Sequence, residues 1–108
     1  MIADLTGKTA IITGGGQGLG LGISNKIAGQ GANIIVTDLD DRNKSTVEKL
    51  ARTNNVDFLY IEMDVMNSEQ VSESMKKAID FSKIDILVNN AGVPGCLLYT
   101  SPSPRDVN

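Results

Sequence analysis

Residues 8–20, Lys-Thr-Ala-Ile-Ile-Thr-Gly-Gly-Gly-Gln-Gly-Leu-Gly, decide how this chain folds. Lys8–Thr13 is a short run with the β-branched, apolar character of a buried strand. Gly18–Gly29 follows with the pattern of a helix, its Leu19, Ile23 and Ile27 four apart. Between them lies a turn almost bare of side chains, so something large and anionic can approach the main chain. The free N–H groups and dipole of the helix that follows favour a phosphate at that point. The spacing is Gly14-x-x-x-Gly18-x-Gly20 after Thr13, which is not the G-x-G-x-x-G fingerprint. Its logic is the same: one glycine turns the chain, one admits the pyrophosphate and one lets the helix pack against the strand. A P-loop is unsupported, because no Gly-Lys-Ser/Thr closes the run.

Outward from the loop, short β-rich runs and helical patterns alternate. Gly29-Gln30-Gly31 ends the first helix, with glycine available for a left-handed cap. Asn33–Asp38 reads as the second strand and Asp41–Arg52 as a helix with Val47, Leu50 and Ala51 on one face. Asp57–Met63 reads as the third strand. Asn67–Phe81 reads as a helix capped by Asn67, with Gln70 completing a capping box and Val71, Met75, Ala78 and Ile79 as its buried stripe. Lys83–Asn89 holds the fourth strand. This alternation implies βαβ units and a parallel sheet with right-handed crossovers. The fold class is α/β, a Rossmann-like doubly wound sheet cut after its fourth strand, in the order 3-2-1-4.

Composition narrows the chemistry. The chain has 108 residues, a net charge of −3 and no histidine, so histidine acid–base and histidine–metal chemistry are excluded. No basic stripe is present to neutralise nucleic-acid phosphates. Lys76-Lys77, a doublet of basic residues, reads as a solvated helix face. One cysteine, Cys96, forms no disulfide within the chain, which suits a reducing, cytoplasmic setting. Met1–Leu5 lacks the basic flank and apolar run of a signal peptide. No apolar stretch approaches the ~20 residues of a membrane helix.

Asp38 ends the second strand, 18 residues beyond Gly20. An acidic residue at that distance is where a ribose 2′-hydroxyl is held. A carboxylate there accepts from the ribose and repels a 2′-phosphate, and no cation stands at Gln17 or Leu39 to receive one. NAD is therefore expected over NADP. The other reading of Asp38 is a residue that starts a turn or caps the next helix.

Thr13-Gly14-x-x-x-Gly18-x-Gly20, Asp38, Asp64-Val65 and Asn89-Asn90-Ala91-Gly92 together resemble the short-chain dehydrogenase/reductases, as do Leu5-Thr6-Gly7-Lys8 and Gly31-Ala32. The resemblance runs from residue 1 to about residue 95. It implies that the main chain around Gly14, Gln17, Gly18 and Leu19 holds the pyrophosphate, with Gly20 allowing close helix packing. It implies further that Asp38 binds the adenosine ribose beside Leu39, that Asp64 meets the adenine amino group with Val65 against the ring, and that Asn90, Ala91 and Gly92 lie near the cofactor. The other reading of Asp64 is a turn residue before the third helix. Asn89 and Asn90 read also as ties between strands.

The family resemblance implies hydride transfer between a nicotinamide cofactor and an alcohol or ketone, in a protein that forms homo-oligomers. It places a catalytic serine and a Tyr-x-x-x-Lys pair well after Asn-Asn-Ala-Gly. Here Tyr60 is followed four residues on by Asp64, and Tyr99 by Ser103, so no catalytic residue is assigned. Residues 1–95 are thus expected to be the N-terminal part of an NAD(P)-binding domain, inactive alone. Cys96–Asp106 can be back-translated to a frame resembling a transposase end joined to a sequencing adapter, so 96–108 is expected to be a non-native tail. Two rivals remain: a dinucleotide-binding module without turnover, and a fragment without cellular function.

Overall fold

The computed structural model describes residues 4–90. Seven elements alternate along them: β1 (Thr9–Thr13), α1 (Gly18–Gly29), β2 (Asn33–Asp38), α2 (Lys44–Asn54), β3 (Phe58–Glu62), α3 (Ser68–Phe81) and β4 (Ile86–Asn89). The strands form one sheet in the order β3-β2-β1-β4. Every pairing is parallel, with Ile12 opposite Val36 and Val88, and Val36 opposite Tyr60. Parallel neighbours need a crossover, and each helix supplies one.

A strand covered on both sides must be apolar at every position. β1 and β2 meet this with Ala10, Ile11, Ile12, Ile34, Ile35 and Val36, all 2 % exposed or less. Alternation then sorts them. Ala10, Ile12, Ile34 and Val36 join Ala28 of α1 and Val47 of α2. Ile11, Ile35 and Ile61 join Met63 and Ala78 of α3 on the other face. The sheet is thus sandwiched between α1 and α2 on one side and α3 on the other.

Several boundaries and faces differ from the sequence reading. The helix expected from Asp41 begins at Lys44, because residues 38–43 form a separate turn in which the Lys44 amide donates to the Asp41 carbonyl at 3.0 Å. It ends beyond Arg52, where Asn55 takes a left-handed conformation (φ 58°) and the Val56 amide reaches back to Ala51. Asparagine tolerates that region better than most residues. β2 has its expected bounds, β1 and β3 are shorter than expected by one and two residues, and β4 takes the last four residues of Lys83–Asn89.

The capping box at α3 is only half formed. Asn67 accepts from the Gln70 amide at 3.0 Å, but Gln70 Oε1 accepts from the Asp64 amide at 2.8 Å instead of returning to Asn67. Ile79, expected in the buried stripe of α3, is 62 % exposed; Ser74 and Ala78 face the sheet. Leu19 is likewise 76 % exposed. The side of α1 that meets the sheet is Gly20, Ser24 and Ala28, small residues four apart. The left-handed close of α1 falls on Gly31 (φ 97°), as the glycines there imply.

Candidate functional site

The carboxyl ends of β1, β2 and β4 converge at the glycine turn. Gly14 has a φ of 65° and Gly18 one of 55°, values that favour residues without a Cβ. The amides of Gly14 and Gly15 both donate to the Thr37 carbonyl, at 2.7 and 3.2 Å, which staples the turn to the end of β2. Ser24 is buried and its hydroxyl accompanies the carbonyls of Gly20 and Gly15, at 2.9 and 3.2 Å. Asn90 closes the other side: its amide donates to Thr13 Oγ1 at 3.0 Å and its side chain to the Gly14 carbonyl at 3.1 Å. Thr13 Oγ1 in turn lies 3.2 Å from Asn89 Oδ1. Both asparagines therefore tie β4 to β1.

Gly20 is where helix and turn touch. A Cβ placed on it would stand 1.9 Å from the Gly14 carbonyl oxygen and 2.6 Å from Asn90 Nδ2. Gln17 caps α1 with extended backbone and no side-chain cap bond, and no acidic residue occupies the first turn. Neither a side-chain cap nor a first-turn carboxylate of α1 itself offsets the positive end of the helix dipole, the arrangement that accepts an anion.

A cleft of about 370 Å³ opens beside this turn. Its wall includes Gly14, Gln17, Asp38, Leu39, Asp64, Val65 and Asn90, seven residues named from the sequence. Gly18, Leu19 and Gly20 are not part of its wall; they form the first turn of α1. Ala91 and Gly92 lie outside the described residues, as do Cys96, Tyr99 and the rest of the tail. Thr37, Met63 and Met66 complete the wall and were not foreseen. The two methionines flank Asp64-Val65 in the sequence, which was the available signal. For Thr37, the position before Asp38 was the only one.

Asp38 and the glycine turn, 22 residues apart in the chain, are in contact: the Gly16 amide donates to Asp38 Oδ2 at 3.1 Å. The Leu39 amide donates to Oδ1 at 2.9 Å. A carboxylate offers about four acceptor positions, so two remain for hydroxyls of a sugar. Asp38 does not cap α2, which begins six residues later at Lys44. Asp64 does act as a turn residue, its Oδ1 accepting from the Met66 amide at 2.9 Å. Its Oδ2 has no hydrogen-bond partner among the described residues.

Among the described residues, one buried side-chain group is unpaired. Thr37 is 1 % exposed and its Oγ1 has no hydrogen-bond partner among the described residues. An unsatisfied buried hydroxyl costs about 1–3 kcal/mol, and this one belongs to a residue of the cleft wall. Orphaned hydroxyl, bare cradle and half-used carboxylate all fit a polar, sugar-bearing diphosphate.

Comparison with known proteins identifies the fold's relatives. A family model described as short chain dehydrogenase matches residues 8–105. The chain belongs to the short-chain dehydrogenase family. It is 40 % identical over 90 residues to the D-beta-hydroxybutyrate dehydrogenase of Cupriavidus necator, covering 82 % of this chain and 35 % of that protein. The structure of L-sorbose reductase from Gluconobacter frateurii, complexed with NADPH and L-sorbose, superposes with a TM-score of 0.80 at 33 % identity, covering 86 % of this chain and 36 % of the other. NAD+-bound xylitol dehydrogenase superposes with a TM-score of 0.77 at 31 % identity, covering 82 % and 35 %. Both NAD- and NADP-type cofactors thus occur among short-chain dehydrogenase structures similar to this one. The chain spans 35 to 44 % of the length of the curated relatives it matches.

Against that family, Tyr60 has the wrong surroundings for an acid–base. Partial burial, with the charges of Asp38, Asp40, Asp41 and Glu62, pushes its phenol up to about 12. Its hydroxyl donates to the Asp40 carbonyl at 2.7 Å. Among the described residues no group of three or more His, Cys, Asp or Glu is placed to hold a metal. No described helix is long and apolar enough to cross a membrane.

Proposed function

We propose that these residues are the nucleotide-binding part of an NAD-dependent oxidoreductase that acts on a small alcohol or ketone. The observation that carries this is the contact of Asp38 with the glycine turn at the mouth of one cleft. When bound, the dinucleotide supplies or accepts a hydride. The chain's own contribution is to bind and orient it. Main-chain groups of Gly14, Gln17, Gly18 and Leu19 face the pyrophosphate, and Gly20 keeps α1 close enough for its dipole to act. Asp38 accepts from the ribose hydroxyls beside Leu39. Asp64 Oδ2 takes the adenine amino group, with Val65 against the ring. Asn90, at the end of β4, is proposed to lie near the cofactor, a role the family resemblance also gives to Ala91 and Gly92, which lie outside the described residues.

NAD is favoured over NADP because Asp38 would face a 2′-phosphate with like charge at short range. Neither tyrosine has a lysine four residues on, so this 108-residue chain is proposed to bind without turnover. A cytoplasmic, homo-oligomeric parent enzyme without nucleic-acid or membrane partners is the accompanying proposal. The same missing pair favours a second reading, a dinucleotide-binding module. A sequence read across codons 95–106 of the gene, and onward, separates the two: a downstream serine and Tyr-x-x-x-Lys make it an enzyme. It also tests whether 96–108 is adapter-derived.

The binding claim is tested by equilibrium dialysis of the chain against NAD and NADP. Tighter NAD binding is expected. Tighter NADP binding removes the Asp38 argument, and no binding of either removes the function.

A further inference from the structure

The turn that carries Asp38 is held from behind by a residue the nucleotide reading does not use. Tyr60 lies opposite Val36 on the sheet, which sends its ring to the α1/α2 face. Its hydroxyl donates to the Asp40 carbonyl at 2.7 Å across a separation of 20 residues. Phenol, carboxylate and glycine turn meet at one point: a Cβ on Gly16 would stand 2.7 Å from Asp38 Oδ2, 3.1 Å from Tyr60 Oη and 3.3 Å from Asn43 Cβ. Gly16 must therefore lack a side chain for the three to close. The Asp40 side chain points its carboxylate at Arg42, with Nε at 3.1 and 3.2 Å from its two oxygens and Nη2 at 3.0 Å from Oδ2.

Resting on the dinucleotide reading above, we propose that Tyr60 and Asp40 are the positioning residues that set the preference for a free ribose 2′-hydroxyl over a 2′-phosphate. Tyr60 fixes the turn so that Asp38 keeps its place against Gly16. Asp40 occupies Arg42, the arginine of the turn, whose planar fork would otherwise suit a phosphate. Four carboxylates, those of Asp38, Asp40, Asp41 and Glu62, bear on the phenol, so with Arg42 held by Asp40 a 2′-phosphate placed here meets mainly negative charge.

The test is isothermal titration of the full chain with ADP-ribose and with 2′-phospho-ADP-ribose, for the wild type, Tyr60→Phe and Asp40→Asn. The wild type should favour ADP-ribose. Tyr60→Phe should weaken ADP-ribose by about 3- to 10-fold, the worth of one hydrogen bond, with far less change for the phosphorylated ligand. Asp40→Asn, exposed and harmless to folding, should tighten 2′-phospho-ADP-ribose by about 2- to 5-fold by releasing Arg42. A Tyr60→Phe that weakens both ligands equally marks a merely structural tyrosine and overturns its role. If Tyr60→Phe does not fold, the Asp40→Asn titration decides, and an unchanged ratio there overturns the inference while the nucleotide site stands. A wild type that binds neither ligand overturns both.

Discussion

Two glycines of α1, two residues apart, should respond to the same substitution with opposite signs. Gly22→Ala places a methyl in open space on the exposed side of the helix, with no heavy atom within 4 Å. Alanine is favoured over glycine in a helix by about 1 kcal/mol, so Gly22→Ala should stabilise the protein by roughly that amount. Gly20→Ala gains the same propensity but drives its methyl to 1.9 Å from the Gly14 carbonyl oxygen and 2.6 Å from Asn90 Nδ2. Backbone, not a flexible side-chain tip, is in the way. Overpacking of this kind costs about 1–3 kcal/mol, occasionally more. Losing the Asn90–Gly14 bond adds about 0.5–1.5 kcal/mol. Net of propensity, Gly20→Ala should destabilise by about 1–3 kcal/mol, a large share of the ~5–15 kcal/mol typical of a domain. Urea melts followed by circular dichroism measure both, read as a change in midpoint at constant slope. A Gly20→Ala midpoint at or above that of the wild type would refute the close approach of α1 to the turn, and with it the anion cradle.

Thr37→Val removes the orphaned hydroxyl; the free protein should gain about 1 kcal/mol in a urea melt while ADP-ribose binding weakens, and unchanged binding would show that this hydroxyl never meets the nucleotide. Tyr60 gives a pH dependence whose sign follows from its raised phenol. Its protonated form is favoured in the folded state, so its contribution is complete below pH 10 and is lost as pH rises from 10.0 toward about 12. The difference in thermal midpoint between wild type and Tyr60→Phe should therefore be flat below pH 10 and shrink above it; a difference that grows would contradict the assignment. At the other edge of the sheet, Leu87 of β4 is 53 % exposed on the α3 face. Among the described residues β4 is an edge strand, and an apolar edge promotes association, so Leu87→Lys should raise the concentration at which the chain remains monomeric by analytical ultracentrifugation, and no change would remove that edge as a cause of association.

What could be read from the chain, and what could not, divides along the range of the forces involved. The strand order follows from local facts: apolar β-rich runs, helices long enough to cross over, and glycines that can only be a turn. Asp38 was legible because the distance from the glycines to the end of the next strand is fixed by one βαβ unit. One residue on each of α1 and α3 departs from the expected face for a different reason, while Ile23, Ile27, Val71, Met75 and Ala78 do pack on the core. Leu19 and Ile79 look like core by hydrophobicity, yet Gly20, Ser24 and Ala28 on one helix, and Ser74 and Ala78 on the other, are what meet the sheet. A helix pressed close to a sheet selects for small volume, and periodicity in apolar character does not register that.

The start of α2 failed for the reason that makes Tyr60 important. Asp40 and Asp41 have the composition of a helical first turn, but the tyrosine hydroxyl from β3 claims the Asp40 carbonyl and Arg42 folds onto the Asp40 carboxylate. Those contacts hold residues 38–43 as a turn against Gly16 and delay the helix to Lys44. A helix beginning at Asp41 would swing this segment away from the glycine turn and take Asp38 from its contact with the Gly16 amide. The misplaced boundary and the contact of Asp38 with the glycine turn thus have one cause, a hydrogen bond between residues 20 apart that no local pattern encodes. Tyr60→Phe should consequently lengthen α2 at its N-terminus. Amide exchange at Ser45 and Thr46, whose N–H groups would gain the Asp41 and Arg42 carbonyls as i−4 partners, should be slower in the variant than in the wild type, and unchanged or faster exchange would sever the link between turn and helix start.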